Sequence, residues 1–146
     1  MIAFKAMTAK EWPWIQKRAH LTLMDDTQGI VAYETEGDQI KAIAVFDNFG
    51  NDNCHMHLAV DSPIVVRHGF GTEIARHIFI TNGKKRVFGY TPGNNYKAIR
   101  LNRHIGCEEV GRVPNGHSEG VDYIIFSMDR KQAERWLPKE MKEEAA

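Results

Sequence analysis

The stretch that decides the fold is Val66-Arg67-His68-Gly69-Phe70-Gly71-Thr72, which lies between an apolar run and a helix-like pattern. Glycines at alternate positions let the backbone approach a ligand closely, and the helix that follows begins with unpaired N–H groups. These amides and the positive end of the helix dipole suit an anion such as a pyrophosphate. Neither a Walker loop nor a complete GxGxxG motif is present, so the stretch alone predicts only a glycine loop that accepts an anion.

Strand-like and helix-like patterns surround this loop on both sides. In chain order they predict a strand over 2–7, a helix from about Trp12, strands over 30–33, 40–46 and 54–60, a helix over 69–80, a strand over 84–90, a helix over 95–104, and strands over 109–113 and 121–128. We therefore predict one mixed α/β domain over residues 1–138 and a frayed, charged tail over residues 139–146.

The composition limits the class of protein. The 146 residues carry 19 Lys or Arg and 19 Asp or Glu, so the formal net charge is zero, and the length suits one domain. No run of 18 apolar residues and no signal-peptide pattern is visible, which argues against a membrane protein. Cys54 and Cys107 are far apart in sequence, which predicts reduced thiols in a cytoplasmic protein rather than a disulfide scaffold or a zinc cluster.

The neutral total conceals two oppositely charged parts of the chain. Between Ser62 and Cys107 there are eight Lys or Arg and a single acid, Glu73, which gives this segment a charge of +7 and the remainder −7. Such an asymmetry predicts an anionic partner for the basic segment.

A second pattern follows about 25 residues after the loop: Asn95-x-x-Ala98-Ile99-Arg100-Leu101-Asn102-x-x-x-Gly106. Together the two patterns resemble the GNAT superfamily of acetyl-CoA-dependent N-acetyltransferases. The resemblance implies an α/β (α+β) single-domain fold, with a mostly antiparallel central sheet and flanking helices. It also implies acetyl-CoA as co-substrate and an amine as acceptor. Three positions depart from the family pattern: Val66 replaces Gln or Arg, Asn102 replaces a tyrosine often cast as the acid, and Cys107 replaces an aromatic residue.

The resemblance assigns coenzyme contacts to particular positions. The strand Leu58-Ala59-Val60 would pair with the pantetheine amides, the backbone from His68 to Thr72 would hold the pyrophosphate, and basic side chains would meet the 3′-phosphate or adenine end. A solvated helix face explains each arginine equally well. The complete set of expected coenzyme residues is Leu58, Ala59, Val60, Val66, Arg67, His68, Gly69, Phe70, Gly71, Thr72, Asn95, Arg100 and Arg103.

Acetyl transfer to an amine also requires a group that removes a proton. His55 and His57 share one face of a predicted strand, and histidine titrates near pH ~6.5. Aligning the strand on Ala59-Val60 turns both histidines away from the acceptor, whereas aligning it on the glycine loop turns them toward it. Glu34 and Asp47, at two strand ends, are alternative bases, and Tyr90 and Tyr96 are candidates for the missing acid. No convincing metal-ligand spacing is present.

The resemblance implies that an unidentified primary amine is the acceptor and that it attacks acetyl-CoA directly in a ternary complex. Asp25-Asp26, in the segment that shapes the acceptor pocket in this superfamily, would favour a cationic amine. A non-catalytic coenzyme A- or protein-binding module on the same fold is the alternative function. A nucleic-acid binder using the basic residues 84–86 and 97–103 is a third, which the neutral total disfavours. A homodimer is compatible with the sequence.

Overall fold

The structure is a computed structural model that describes residues 1–140, so the predicted tail lies outside the described residues from position 141 on. Its strands are β1 (Ile2–Ala6), β2 (Gln28–Glu34), β3 (Gln39–Asp47), β4 (Asn53–Val60), β5 (Arg86–Pro92), β6 (Glu108–Ser118) and β7 (Val121–Asp129). Its helices are α1 (Trp12–Ala19), α2 (Phe70–Ala75), which continues as a π-helical turn (Arg76–Thr81), and α3 (Tyr96–Ile105). Short 3₁₀ turns lie at Pro63–Val66 and Glu134–Trp136. None of the helices among residues 1–140 has the length and apolar character needed to cross a membrane.

The strands form one seven-stranded sheet in the order β1-β2-β3-β4-β5-β7-β6. Every pair is antiparallel except β4 and β5, which are parallel and joined by the crossover that contains α2. The predicted mixed, mostly antiparallel sheet with flanking helices is therefore confirmed.

The parallel pair ends early. Asn53, Cys54 and His55 of β4 pair with Arg86, Val87 and Phe88 of β5, and no later residues of the two strands pair with each other. Meanwhile β4 stays paired with β3 as far as Val60, and β5 stays paired with β7 as far as Pro92. The sheet therefore has a gap between β4 and β5 beyond His55.

Strand alternation divides the apolar side chains between two sheet faces. The larger core lies under α2 and α3 and includes the fully buried Phe70, Ile74 and Phe126. The smaller core lies under α1, where Ile15 packs against Val31, Ile43, Val45 and Ala59. Leu58 and Val60 pack against the first core and Ala59 lies in the second, so this part of β4 contributes to both faces.

His77 lies in the π-helical turn and packs into the larger core. Its ring centre is 4.6 Å from that of Phe46, and its Nε2 is buried without a hydrogen-bond partner among the described residues. Burial lowers the pKa of His77, because the charged imidazolium would lose its hydration there.

This environment predicts a pH-dependent stability. The unfolded chain takes up the His77 proton near pH ~6.5, before the folded chain does. The contribution of His77 to the free energy of unfolding is therefore complete above that pH and is lost as the pH falls toward the lowered pKa of the folded state. Urea unfolding between pH 5 and 7.5 should show a flatter pH dependence in His77→Phe than in the unsubstituted protein. Parallel pH profiles for the two proteins would contradict the assignment.

Candidate active site

A cavity of about 610 Å³ opens where β4 leaves β5. This volume is typical of a small-molecule site. The cavity brings together five of the residues predicted from the sequence, Leu58, Ala59, Val60, Asn95 and Arg100. Its other lining residues were not predicted: Arg18, Asp61, Pro63, Lys97, Ala98, Leu101 and His104.

One wall of the cavity is α3, and local sequence signals set where this helix begins and ends. The side chain of Asn95 accepts a hydrogen bond from the Ala98 amide at 3.2 Å and caps the first turn. Gly106 ends the helix with a left-handed φ of 115°. The Asn-x-x-Ala pattern therefore positions the helix along the cavity.

The opposite wall is the free edge of β4. From Met56 on, this edge has no strand partner among the described residues. Backbone N–H and C=O groups at such an edge are available to pair with the amides of a ligand.

The cavity is positively charged. Lys97 and Arg100 line it from α3, and neither forms an ion pair within residues 1–140. Arg18 reaches it from α1, where its guanidinium lies 3.6 Å from the ring centre of Trp14. The only carboxylate in the lining, Asp61, accepts two hydrogen bonds from Arg18, at 3.0 and 2.9 Å. Because Asp61 is neutralised by Arg18, the charge of Lys97 and Arg100 remains available to an anion.

The glycine loop is explained largely by packing within the chain. Gly69 has a φ of +110°, and a Cβ placed on it would lie 3.0 Å from the ring of Phe4. A Cβ on Gly71 would lie 2.6 Å from Cε3 of Trp136. A side chain at either glycine would therefore meet Phe4 or Trp136, and the coenzyme contacts expected of the loop backbone stay a prediction.

The remaining loop residues differ in their exposure and in whether their backbone amides are already hydrogen-bonded. Val66 is buried, Arg67 and His68 are exposed, and none of residues 66–72 lines the cavity. The His68 amide already donates to the Val65 carbonyl at 3.1 Å. The first-turn amides of α2 from Phe70 on point out of the helix start, as in any helix.

The two strand histidines lie on the α1 face of the sheet. The register pairs His55 with Asp47, His57 with Val45 and Ala59 with Ile43, and the last three of these residues belong to the α1 core. Both histidines therefore share the face of the sheet that α1 covers, and their side relative to the acceptor stays a prediction.

His57 and Asp47 form a close pair at the gap. Nε2 of His57 lies 3.1 Å from each carboxylate oxygen of Asp47. The Asp47 side chain is 7% exposed and that of His57 is 26% exposed. A nearly buried carboxylate that accepts the Nε2–H hydrogen bond orients the ring and leaves Nδ1 to accept a proton.

The other predicted proton-transfer residues are dispersed. Glu34 pairs with Gln39, at the end of β3 opposite to Asp47. Its carboxylate accepts a hydrogen bond from the Met1 amino group, and this bond lowers the pKa of Glu34. Tyr96 is 70% exposed on the first turn of α3. Tyr90, half exposed on β5, is the tyrosine that lies beside the gap. Asn102 donates to Thr91 Oγ1 at 2.9 Å and so holds α3 to β5.

The basic residues that suggested nucleic-acid binding form two separate groups. At the start of β5, Lys84 donates to the Gly50 carbonyl, and Arg86 donates to Ser127. Lys97, Arg100 and Arg103 lie on α3, which follows the other end of β5. The seven residues of β5 separate the groups by about 20 Å, so within residues 1–140 these side chains do not form one continuous basic stripe.

Among residues 1–140, no group of three or more His, Cys, Asp or Glu side chains is arranged to hold a metal ion. Cys54 and Cys107 are free and buried, and burial raises the pKa of these thiols to about 11 and about 12, respectively. Neither thiol is therefore a ready nucleophile or metal ligand near neutral pH.

Comparison with known proteins identifies the fold. No protein-family model and no curated relative matches the sequence. The structure is similar to SpeG, a spermidine/spermine N-acetyltransferase from Vibrio cholerae solved in complex with manganese ions, with a TM-score of 0.74 and 8% identity over 92% of this chain and 95% of that chain. It is also similar to a protein described as a phosphinothricin N-acetyltransferase, with a TM-score of 0.63 and 14% identity over 88% of this chain and 98% of that chain.

The chain therefore has the fold of these N-acetyltransferases, which is the fold that the resemblance of the glycine loop and the Asn95 helix implied. At 8% and 14% identity the likeness shows the fold alone.

The packing of Gly71 gives a test of the loop. Gly71→Ala should lower the free energy of unfolding by about 1–3 kcal/mol, because the added methyl group overlaps the Trp136 ring. Gly111→Ala is the control, since its Cβ would find its nearest neighbour at 3.8 Å, and we expect a change within about 0.5 kcal/mol. In a Trp136→Leu background the cost of Gly71→Ala should shrink. An equal cost in both backgrounds, measured by urea unfolding, would exclude the overlap as its cause.

Proposed function

We propose that the chain is an acetyl-CoA-dependent N-acetyltransferase that transfers an acetyl group to a primary amine by direct attack. The observation that carries the proposal is the placement of two features at one gap in the sheet. The positively charged cavity lies between the free edge of β4 and α3, and the His57–Asp47 pair lies on the α1 face of the same strand. The similar structures carry the names of N-acetyltransferases, which agrees with this function.

The coenzyme half of the site fits a long, amide-containing anion. Residues Leu58 to Val60 present a strand edge to the pantetheine amides, and Asn95 and Ala98 begin the helix that lies along the other side. Lys97 and Arg100 provide charge for phosphate groups, and the first turn of α2 provides amides. Arg67 and Arg103 are exposed near this region and lie outside the cavity lining.

The acceptor half of the site fits an amine that arrives protonated. The Asp26 carboxylate accepts a hydrogen bond from the Phe49 amide at 3.1 Å, next to the strand end that carries Asp47. These carboxylates attract an ammonium group. Nδ1 of His57 then removes the proton, directly or through one water, while Asp47 holds the ring and stabilises the imidazolium.

The remaining step is acetyl transfer itself, for which the protein would supply an acid. When bound, acetyl-CoA supplies a thioester carbonyl carbon: the neutral amine forms the C–N bond there, the C–S bond breaks, and the thiolate leaves with the electron pair. The nitrogen loses a second proton as the amide forms, which balances the proton that the thiolate gains. Tyr90 is our candidate for the acid that protonates this thiolate. If the parallel register of His55 with Phe88 is continued by two residues, Tyr90 lies opposite His57 across the gap.

A non-catalytic coenzyme-binding module remains the second candidate. The observation that favours it is Asn102, which takes the place of the family's tyrosine and uses its amide to bond Thr91. Release of free thiol from acetyl-CoA in the presence of an amine panel separates the two functions. Two free, buried thiols agree with a reducing compartment, so we retain a cytoplasmic location as part of the proposal.

Coenzyme binding is the first prediction of this proposal. Calorimetry should give a dissociation constant for acetyl-CoA well below 1 mM, a limit that corresponds to about −4 kcal/mol. Arg100→Gln should weaken binding about 2- to 10-fold, because it removes one unpaired cation from the cavity. Lys131→Gln, which removes the same charge from an exposed turn, should leave the affinity unchanged. A dissociation constant far above ~1 mM for the unsubstituted protein would remove the basis of the proposal.

The proton-transfer pair is the second prediction. His57→Asn should lower kcat about 10²- to 10⁴-fold while the affinity for acetyl-CoA stays the same. Asp47→Asn should lower kcat less, because the imidazole remains but loses its orienting carboxylate. His20→Asn, at a left-handed position with φ 44° that asparagine tolerates, is the control. Retention of full kcat by His57→Asn between pH 6 and 9 would exclude His57 as the base.

A further inference from the structure

On the α1 face of the sheet, five aromatic side chains form a continuous row that starts beside the candidate base. The rings of His55 and Phe88 meet at 6.1 Å, those of His55 and Tyr90 at 5.5 Å, those of Tyr90 and Tyr123 at 6.0 Å, and those of Tyr123 and His117 at 5.6 Å. We call these five residues the aromatic row. It crosses the gap from β4 to β5 and then continues over β7 toward the β6–β7 hairpin.

No helix of residues 1–140 covers the row. The apolar contacts of α1 on this face are with strands β2, β3 and β4, whereas α2 and α3 lie on the other face. Tyr90 is 50% exposed, and Val113, which pairs with Tyr123 on β6, is 43% exposed. The row is therefore a partly open aromatic surface.

The charged side chains on this part of the face lie beside the end of the row that holds His55 and Phe88. Arg86, at the start of β5, is close to Asp129 at 4.0 Å and donates to Ser127. Asp47 pairs with His55 in the register and is engaged by His57. Glu108 pairs with Ser127 on β6 and accepts a hydrogen bond from Gln132. Farther along the row, the register places Tyr90 next to Ile125 and Tyr123 next to Val113, so these partners of the two tyrosines are apolar.

The aromatic row begins close to His57, the candidate base. His55 precedes His57 by two residues on the same strand face, about 7 Å away along β4. Tyr90 lies across the gap from His57 in the continued register. An amine placed at Nδ1 of His57 therefore has the acidic side of the site, around Asp26 and Asp47, on one side and the aromatic row on the other.

We propose that the aromatic row binds the body of the acceptor, and that the acceptor is a primary amine carried on an aromatic ring by a short alkyl linker. This inference rests on the proposed function, because it takes the gap at His57 as the place of transfer. Offset and edge-to-face ring pairs stabilise such a group beyond its area burial. A polyamine in the same place would set its second ammonium beside Tyr90 and Tyr123, whose register partners Ile125 and Val113 carry no charge.

The test compares three amines, 2-phenylethylamine, butylamine and spermidine, in two measurements. The first is kcat/KM for acetyl transfer from acetyl-CoA, and the second is binding of each amine by saturation-transfer NMR, which does not require turnover. We expect 2-phenylethylamine to exceed butylamine and spermidine in both. In Tyr123→Leu the ratio of 2-phenylethylamine to butylamine should fall about 3- to 10-fold. Tyr33→Leu, which removes a tyrosine on the same face away from the row, should leave the ratio unchanged.

The outcomes separate the two proposals. Acetyl transfer with spermidine preferred, or with a ratio that Tyr123→Leu does not alter, would overturn the aromatic acceptor and leave the acetyltransferase in place. Binding of 2-phenylethylamine that weakens in Tyr123→Leu, without turnover, would support the row and count against the enzyme. If 2-phenylethylamine neither binds nor reacts, the row is not an acceptor site. A thermal unfolding curve for each variant establishes that the ratios are measured on folded protein.

Discussion

The parallel pairing of β4 with β5 ends after three residue pairs, and the candidate site depends on this early end. Beyond His55 and Phe88, each strand keeps its antiparallel partner but loses the other. The backbone groups on these edges have no strand partner, so they can pair with an occupant that brings amides of its own. The cavity, its free strand edge and the placement of His57 at the mouth of the gap all follow from the point at which the pairing stops.

Several contacts around the gap between β4 and β5 hold the neighbouring helices in place. Asn102 ties α3 to Thr91 on β5, so the helix cannot move away from the strand that it follows. Trp136 lies between α2 and α3, since its Nε1 donates to the Ile105 carbonyl at 2.6 Å and its ring covers Gly71. Thr72 adds a bond to the Trp136 carbonyl. The 3₁₀ turn after β7 therefore fixes the spacing of α2 and α3, and α3 forms one wall of the cavity.

The fold and one wall of the site could be predicted from the sequence. Some of the residues used for that prediction are required by contacts that the sequence did not reveal. Local signals determine α3, because Asn95 caps it and Gly106 ends it within the same segment. The glycine loop pointed to the correct fold, although Gly69 and Gly71 are required by Phe4 and Trp136, which are distant in sequence. No local pattern indicated that contact, since it depends on how the chain ends pack.

The residues proposed for the acceptor side could not be brought together from the sequence without knowledge of the sheet register. His57 and Asp47 are ten residues apart, and a shift of one residue in the β3–β4 pairing would have placed them on opposite faces. Arg18 reaches the cavity from α1 through its bond to Asp61, 43 residues away, and no spacing rule predicts such a pair. Tyr90 and Tyr123 belong to different strands and meet only because β5 and β7 are neighbours in a sheet whose order differs from the chain order.

The register also bears on where the acid of the reaction lies. The resemblance places a tyrosine on the helix after β5, but here that position is Asn102, whose amide is used to bond Thr91. A phenol on α3 is therefore replaced by a structural contact between α3 and β5. Tyr90 projects from the other face of β5, two residues beyond the last parallel pair, and its ring centre lies 5.5 Å from that of His55. With the base on β4 and the phenol on β5, the two proton-transfer groups would flank the gap from its two edges, so the separation of the strands would set the distance between them.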